Sequence, residues 1–254
     1  MQIQQAVVVV TGGASGLGLA TARLALQEGA RVALFDRNAE VLAVARELGA
    51  QALAAVVDVT DEESVVQALD QVLEAWGSVH ALVNCAGIGA ASRTVGKQGP
   101  MPLAQFAQVI QINLIGSFNM ARLAAARMAL NEPNAEGERG CIVHTASVAA
   151  FEGQVGQVAY SASKGGIVGM TLPMARDLAG LGIRVNTVAP GIFDTPLMQA
   201  SPDDVKQPLI AMTQFPKRLG HPEEYARLVL HILQNTFMNG ETVRIDGAIR
   251  MAPR

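Results

Sequence analysis

The chain has 254 residues, half of them hydrophobic and 16% charged, with a formal net charge of -3. That composition supplies a sizeable core and excludes a disordered chain, and the slightly acidic balance excludes an extended basic surface for nucleic acid or an anionic membrane. The two cysteines, Cys85 and Cys141, stand far apart with no CxxC, HExxH or Cys/His cluster, so a metal site is not expected and a reducing compartment is.

In chain order, the first residues run directly into an apolar stretch, which leaves no room for a secretory signal or an Arg-rich presequence. No apolar run is long enough to span a bilayer. A cytoplasmic location is expected, or the mitochondrial matrix if the source is eukaryotic. Near-continuous apolar runs at 6–11, 31–35, 52–57, 81–84, 141–144, 184–189 and 242–245 predict strands buried on both faces, hence a parallel sheet. Between them lie helical patterns. Thr60 to Glu63 reads as a capping box, with Val65, Leu69, Val72 and Trp76 at helical spacing behind it. Residues 105–130 read as one long helix, and its Ala-rich part, 121–129, suits close packing against another subunit. His221-Pro222-Glu223-Glu224 opens a further helix. The alternation predicts an α/β fold: one Rossmann-type domain over 1–254, with a doubly wound parallel sheet of about seven strands flanked by helices. Two stretches break the pattern, 92–102 and 192–216. Each follows a strand at its carboxyl end, where such sheets bind ligands, so both are expected to be substrate loops.

The chemistry-bearing residues fall at strand ends. Gly12, Gly16 and Gly18 follow the first strand and open a helix. Glycines there let the backbone approach a pyrophosphate that faces free helical N–H groups. Asp36 closes the second strand, where a carboxylate accepts from adenosine ribose hydroxyls and repels the extra phosphate of NADP; NAD is the expected cofactor. Asp58-Val59 and Asn84-Cys85-Ala86-Gly87 end the third and fourth strands, where small residues let a cofactor lie across the sheet edge and Asp58 can meet an adenine amino group. Tyr160 and Lys164 are four apart on a predicted helix, which sets an ammonium beside a phenol. A nearby cation favours phenolate, so the pair is expected to act as a general acid/base, with Lys164 also donating to ribose hydroxyls. Ser147, just past the fifth strand, is placed to bond the substrate oxygen. Asn113, a polar amide among apolar neighbours, needs partners and is expected to hold a water that serves Lys164. Ser161-x-x-Lys164 lacks the companion motifs of penicillin-binding enzymes, and the four histidines form no triad.

Taken together, TGGASGLG, Asp36, Asp58-Val59, NCAG, Asn113, Ser147, YSASK and RVNTVAPGIFDTP resemble the short-chain dehydrogenase/reductase family over essentially the whole chain. The resemblance implies a catalytic tetrad of Asn113, Ser147, Tyr160 and Lys164. It implies cofactor contacts from Gly12, Ser15, Gly16, Leu17 and Gly18, from Asp36, Asp58 and Val59, and from Asn84, Ala86 and Gly87. Pro190, Ile192 and Thr195 would lie at the nicotinamide carboxamide. Cys85 departs from the family, which usually has a second Asn there. The stretches ASVAAFEGQVGQVAYSASKGGIVGM, NTVAPGIFDTPL and VRIDGAIRM are similar to family members that oxidise (S)-3-hydroxyacyl-CoA, including 2-methyl-3-hydroxybutyryl-CoA, with NAD and assemble as homotetramers. On that resemblance Gln154 is expected to contact the thioester end of the substrate. Two other readings stay open: an NAD-dependent steroid or secondary-alcohol dehydrogenase, and a non-catalytic NAD-binding scaffold, against which the intact tetrad speaks.

Overall fold

The computed structural model of the chain describes residues 1–89, 91–199 and 202–253. Strand β1 (Val7–Thr11) is followed by helix α1 (Gly16–Gln27), β2 (Arg31–Asp36) by α2 (Val41–Leu48), and β3 (Ala52–Val56) by α3 (Glu62–Trp76). Next come β4 (Ala81–Asn84), a short hairpin of β5 (Val95–Gly96) and β6 (Gly99–Pro100), helix α4 (Leu103–Ile110), a π-helical turn (Gln111–Ile115) and α5 (Gly116–Met128). They are followed by β7 (Gly140–Thr145), α6 (Ala149–Glu152), α7 (Val158–Ala179) and β8 (Ile183–Pro190). Helices α8 (Pro196–Gln199), α9 (Asp203–Met212) and α10 (Pro222–Gln234) lead to β9 (Thr242–Ile245).

Seven strands form one sheet in the order β3-β2-β1-β4-β7-β8-β9, with every pairing parallel. This is the expected fold, and each strand end lies within a residue of its predicted place. The winding reverses between β1 and β4, which opens a crevice at the carboxyl ends of the strands. The sheet is buried on both sides. Val7 and Val9 of β1 pack with Val65, Leu69 and Met120, whereas Val8 and Val10 pack with Ala22, Ala25 and Val229. Alternate side chains of a strand point to opposite faces, so a strand covered twice has no polar face. That is why these runs read as continuous apolar stretches.

Several sequence expectations are corrected. The capping residue of α3 is Asp61, whose carboxylate accepts from the Glu63 N–H at 3.0 Å. Thr60 is drawn away instead: its hydroxyl and its N–H both donate to Asp58. The long helix over 105–130 is interrupted by the π turn, whose extra residue per turn re-aims the chain. The alanines expected to meet another subunit, Ala121, Ala124 and Ala125, are buried in the chain's own core. Their helix turns Phe118 outward instead. The stretch 92–102 contains the antiparallel hairpin, Val95 pairing with Pro100. The stretch 192–216 holds α8 and α9 rather than irregular chain; its positions 200 and 201 lie outside the described residues. Among the described residues no helix is long and apolar enough to cross a membrane.

One buried polar pair in the core gives a pH signature. The amide of Asn84 donates to the Ser117 carbonyl at 3.1 Å and meets His144 Nδ1 at 3.2 Å. The ring proton of His144 therefore sits on Nε2, which is buried with no partner among the described residues. Burial, reinforced by the charge on Lys164, pushes the pKa of His144 down to about 4. Burial also lowers that of His80, whose Nδ1 accepts from the Val7 N–H. The unfolded chain takes up these protons near pH ~6.5 and the folded chain does not. Stability is thus fully present above that pH and is lost as the pH falls towards the folded value. Urea unfolding between neutrality and pH ~5 is expected to show a falling free energy. His144→Asn, which keeps an acceptor for Asn84, is expected to flatten that fall, and an unchanged slope contradicts the assignment.

Candidate active site

Because every strand of the sheet runs the same way, the residues at their carboxyl ends converge on one edge. They line a cavity of about 710 Å³. Its far end is built from the β1–α1 turn and the tip of β2. Gly12 and Gly16 take left-handed backbone angles, with φ of 65° and 54°. A Cβ on Gly12 would lie 2.9 Å from the Ala86 nitrogen, and one on Gly18 would run into the Gly12 carbonyl oxygen. Gly12 thus lets β1 and β4 approach closely, and Gly18 lets α1 pack on the turn. Ser15 precedes α1 without bonding it through its side chain, so the first helical N–H groups face the cavity edge uncapped. Asp36 projects from β2 and is fixed by the N–H groups of Ala14 at 3.0 Å and Asn38 at 2.9 Å. Asp58 stands beside it, and the Thr60 hydroxyl holds its carboxyl below the usual carboxylate range. Arg37, next to Asp36, is exposed and lines the cavity rim.

The floor between β1 and β4 is fastened by one hydroxyl. Thr11 Oγ1 accepts from the Cys85 and Ala86 N–H groups, both at 3.1 Å. Cys85 itself lines the cavity, and burial pushes its thiol up. Asn84 does not reach the cavity; its amide is spent on Ser117 and His144, so it supports the β4 tip from below.

The near wall carries the residues expected to act as the acid/base group. Ser147, Tyr160 and Lys164 all line the cavity. Lys164 Nζ donates to the Thr145 carbonyl at 2.7 Å and lies 5.7 Å from the Tyr160 ring centroid. Burial pushes Lys164 down to about 8. For Tyr160, burial raises the phenol above its ordinary value and the hydrogen bond to Ser147 opposes it. This differs from the expectation of a phenol drawn down by lysine: desolvation of the phenol is the dominant influence on it. Asn113 is also not at the cavity surface. The π turn points it inward, where its oxygen accepts from the Ile88 N–H at 2.8 Å. Its amide donates to the Ile88 carbonyl at 3.0 Å and to Ser163 Oγ at 3.1 Å. Ser163 in turn donates to the Tyr160 carbonyl, so Asn113 ties the β4 loop to the helix of Tyr160.

Leu17, Val59, Gly87, Pro190, Ile192 and Thr195, expected at the cofactor, line the cavity. Gln154 does not: it lies outside the cavity, with its amide donating to the Ala252 carbonyl at 3.0 Å. Gln157 takes the cavity position instead. Its place one helical turn before Tyr160 is the signal that would have found it. Met198 and Met251 complete the wall; nothing in their local sequence marks them. Among the described residues no cluster of three or more His, Cys, Asp or Glu is placed to hold a metal ion.

Comparison with known proteins agrees with this geometry. A short chain dehydrogenase family model matches residues 6–206. The 3-hydroxyacyl-CoA dehydrogenase type-2 of Bos taurus is 55% identical over 250 residues, covering 97% of this chain and 96% of the relative. That of Drosophila melanogaster is 51% identical over 254 residues, covering 99% and 100%. The crystal structure of 3-hydroxyacyl-CoA dehydrogenase type-2 from Mycobacterium avium superimposes with a TM-score of 0.91 at 42% identity, covering 98% of this chain and 97% of that one.

The Asn113 bonds carry a stability prediction. Asn113→Ala removes the partner of the Ile88 N–H and carbonyl and the donor to Ser163 Oγ, at an expected cost of about 1–3 kcal/mol. Urea denaturation measures it, and a change within error shows that the contact is dispensable.

Proposed function

The chain belongs to the short-chain dehydrogenase family, and on that premise we propose that it oxidises (S)-3-hydroxyacyl-CoA, 2-methyl-3-hydroxybutyryl-CoA included, to 3-ketoacyl-CoA with NAD. It is an oxidoreductase, and its kinship with dehydrogenases implies a nicotinamide cofactor. The observation that carries the reading is the single cavity with Asp36 at one end and Ser147, Tyr160 and Lys164 at the other. The similarity to 3-hydroxyacyl-CoA dehydrogenases over the full chain supports the substrate class.

The residues present fit a dinucleotide. Side-chain-free backbone at Gly12 and Gly16, uncapped N–H groups at the start of α1 and a fixed carboxylate at Asp36 match pyrophosphate and ribose in that order. Ser15, Leu17, Asp58, Val59, Ala86, Gly87, Pro190, Ile192 and Thr195 would complete its contacts, with Gly18 and Asn84 holding the frame behind them. When bound, the nicotinamide accepts hydride in oxidation and donates it in reduction. Ser147 holds the substrate oxygen. Tyr160 takes the hydroxyl proton in oxidation and returns one to the ketone oxygen in reduction. Lys164, anchored by the Thr145 carbonyl, sets a positive charge beside the phenol and donates to ribose. Asn113 keeps the helix of Tyr160 in place through Ser163.

A homotetramer is part of this reading, supported by the family resemblance and by the exposed Ile115, Phe118 and Leu172. A cytoplasmic or mitochondrial-matrix location is supported by two free thiols, Cys85 and Cys141. A steroid or other secondary alcohol is the second reading, favoured by the apolar wall of Val148, Ala149 and Met198 beside Ser147.

Three measurements test the proposal. With acetoacetyl-CoA, NADH is expected to be oxidised much faster than NADPH, and Asp36→Ala to narrow that preference; fast NADPH oxidation refutes the role of Asp36. Activity only on steroids or simple ketones selects the second reading, and no hydride transfer at all leaves a cofactor-binding scaffold. Tyr160→Phe is expected to abolish turnover while NADH still binds, as read by nicotinamide fluorescence; substantial residual activity contradicts the mechanism. Because burial holds the Tyr160 phenol protonated beyond its ordinary range, it is armed as an acid at neutrality. The rate of reduction is expected to hold through neutral pH, and that of oxidation to climb on the alkaline side. An oxidation rate that is flat across that range contradicts Tyr160 as the base.

A further inference from the structure

The segment that follows β9 is bound, residue by residue, to the chain leading into the helix of Tyr160. Glu152, at the end of α6, accepts from the Met251 N–H at 3.1 Å. Gln154 donates to the Ala252 carbonyl at 3.0 Å, and the Val155 N–H to the Pro253 carbonyl at 3.0 Å. The same Glu152 carboxylate pairs with Arg244 at 2.8 Å and Arg250 at 3.3 Å, and both arginines also pair with Asp246. From the other side the Ala252 N–H points at Met212 Sδ, at 3.3 Å, so α9 is drawn into the same junction. The result is a clasp of three successive backbone positions, 251–253, closed by a four-membered ion cluster.

The clasp has one side chain inside the cavity. Met251 lines it together with Val148, Ala149, Gln157 and Met198. Val148 and Ala149 directly follow Ser147 and Gln157 stands one turn before Tyr160, so the patch adjoins the acid/base group rather than Asp36. Apart from the Gln157 amide it is apolar, which suits a hydrocarbon chain better than the polar phosphates and amides of coenzyme A. A methionine there presents an unbranched, polarizable surface, while its backbone is tethered through Glu152.

We propose that the segment 249–253 is a fixed wall of the acyl pocket and that Met251 sets the length of acyl chain the enzyme accepts. The inference rests on the acyl-CoA reading given above and deepens it. Gln154, in place of touching substrate, is a positioning residue that holds this wall.

The test compares kcat/KM for NADH-dependent reduction of acetoacetyl-CoA, 3-ketooctanoyl-CoA and 3-ketododecanoyl-CoA by the full-length enzyme. Pocket changes of a few methylenes alter discrimination on the order of tenfold or more. Met251→Ala is expected to raise the ratio of long-chain to four-carbon kcat/KM by about tenfold, and Met251→Phe to lower it by a similar factor. Met251→Leu, close in volume, is expected to keep the wild-type ratio. Gln154→Ala is expected to broaden length preference without the reversal of sign seen between Ala and Phe at 251. A ratio that stays constant across the Met251 variants overturns the inference, as does a KM that rises equally at every chain length. A wild-type enzyme that turns over none of the three acyl-CoAs overturns the acyl-CoA reading itself, and the inference with it.

Discussion

A parallel sheet covered on both faces has almost nowhere to keep polar side chains except at the ends of its strands. Because all seven strands here point the same way, their carboxyl ends lie along one edge. Thr11, Asp36, Asp58, Thr145 and Ser147 all belong to that edge, each at or just beyond the end of its strand. The cavity is thus a consequence of strand direction and burial before it is a consequence of any particular residue. What the residues add is a set of tethers. Thr11 Oγ1 fixes the β4 tip, Asp36 is pinned by the Gly-rich turn it faces, and the Thr145 carbonyl holds Lys164.

The same burial that builds the core shapes the electrostatics of the site. Lys164 and Tyr160 are both enclosed, and desolvation moves each towards its neutral form: the ammonium down, the phenol up. The two shifts move the pair apart, so that at neutrality the phenol keeps its proton firmly while the ammonium is held closer to titration. Asn113, Ser163 and Ile88 keep this pair in register with the β4 loop. His144 sits one strand position below the edge and remains neutral, with the Asn84 amide on one nitrogen.

Much of this was legible in the chain because the signals were local. Buried strands announce themselves as short apolar runs, and the glycine turn, Asp36 and the Tyr160–Lys164 spacing each follow from one element's geometry. What was not legible depended on side chains brought together from distant parts. Thr60 looked like a helix cap until Asp58, two residues before it, claimed its hydroxyl. The alanines of α5 looked like a subunit contact, yet periodicity alone does not say which sheet a small-residue face will meet. Gln154 missed the cavity because its amide is engaged by the Ala252 carbonyl, while Gln157, at the start of α7, lines it. Met251 carries no motif and reaches the cavity only because Glu152, almost a hundred positions earlier, holds its backbone.

The π turn at Gln111–Ile115 separates two helical phases. An α-helix advances about 100° per residue, so one residue more or less in this turn would rotate everything upstream by that angle relative to α5. The hairpin of β5 and β6 and the whole of α4 hang from the upstream phase, while Ser117, which receives the Asn84 amide at its carbonyl, belongs to the downstream one. The surface hairpin, none of whose residues lines the cavity, and the frame beneath the crevice are therefore geared to each other by a single inserted residue. Length changes within the hairpin are absorbed at the surface, whereas a change of one residue between 111 and 115 would swing the hairpin around the helix axis and carry Asn113 out of the interior.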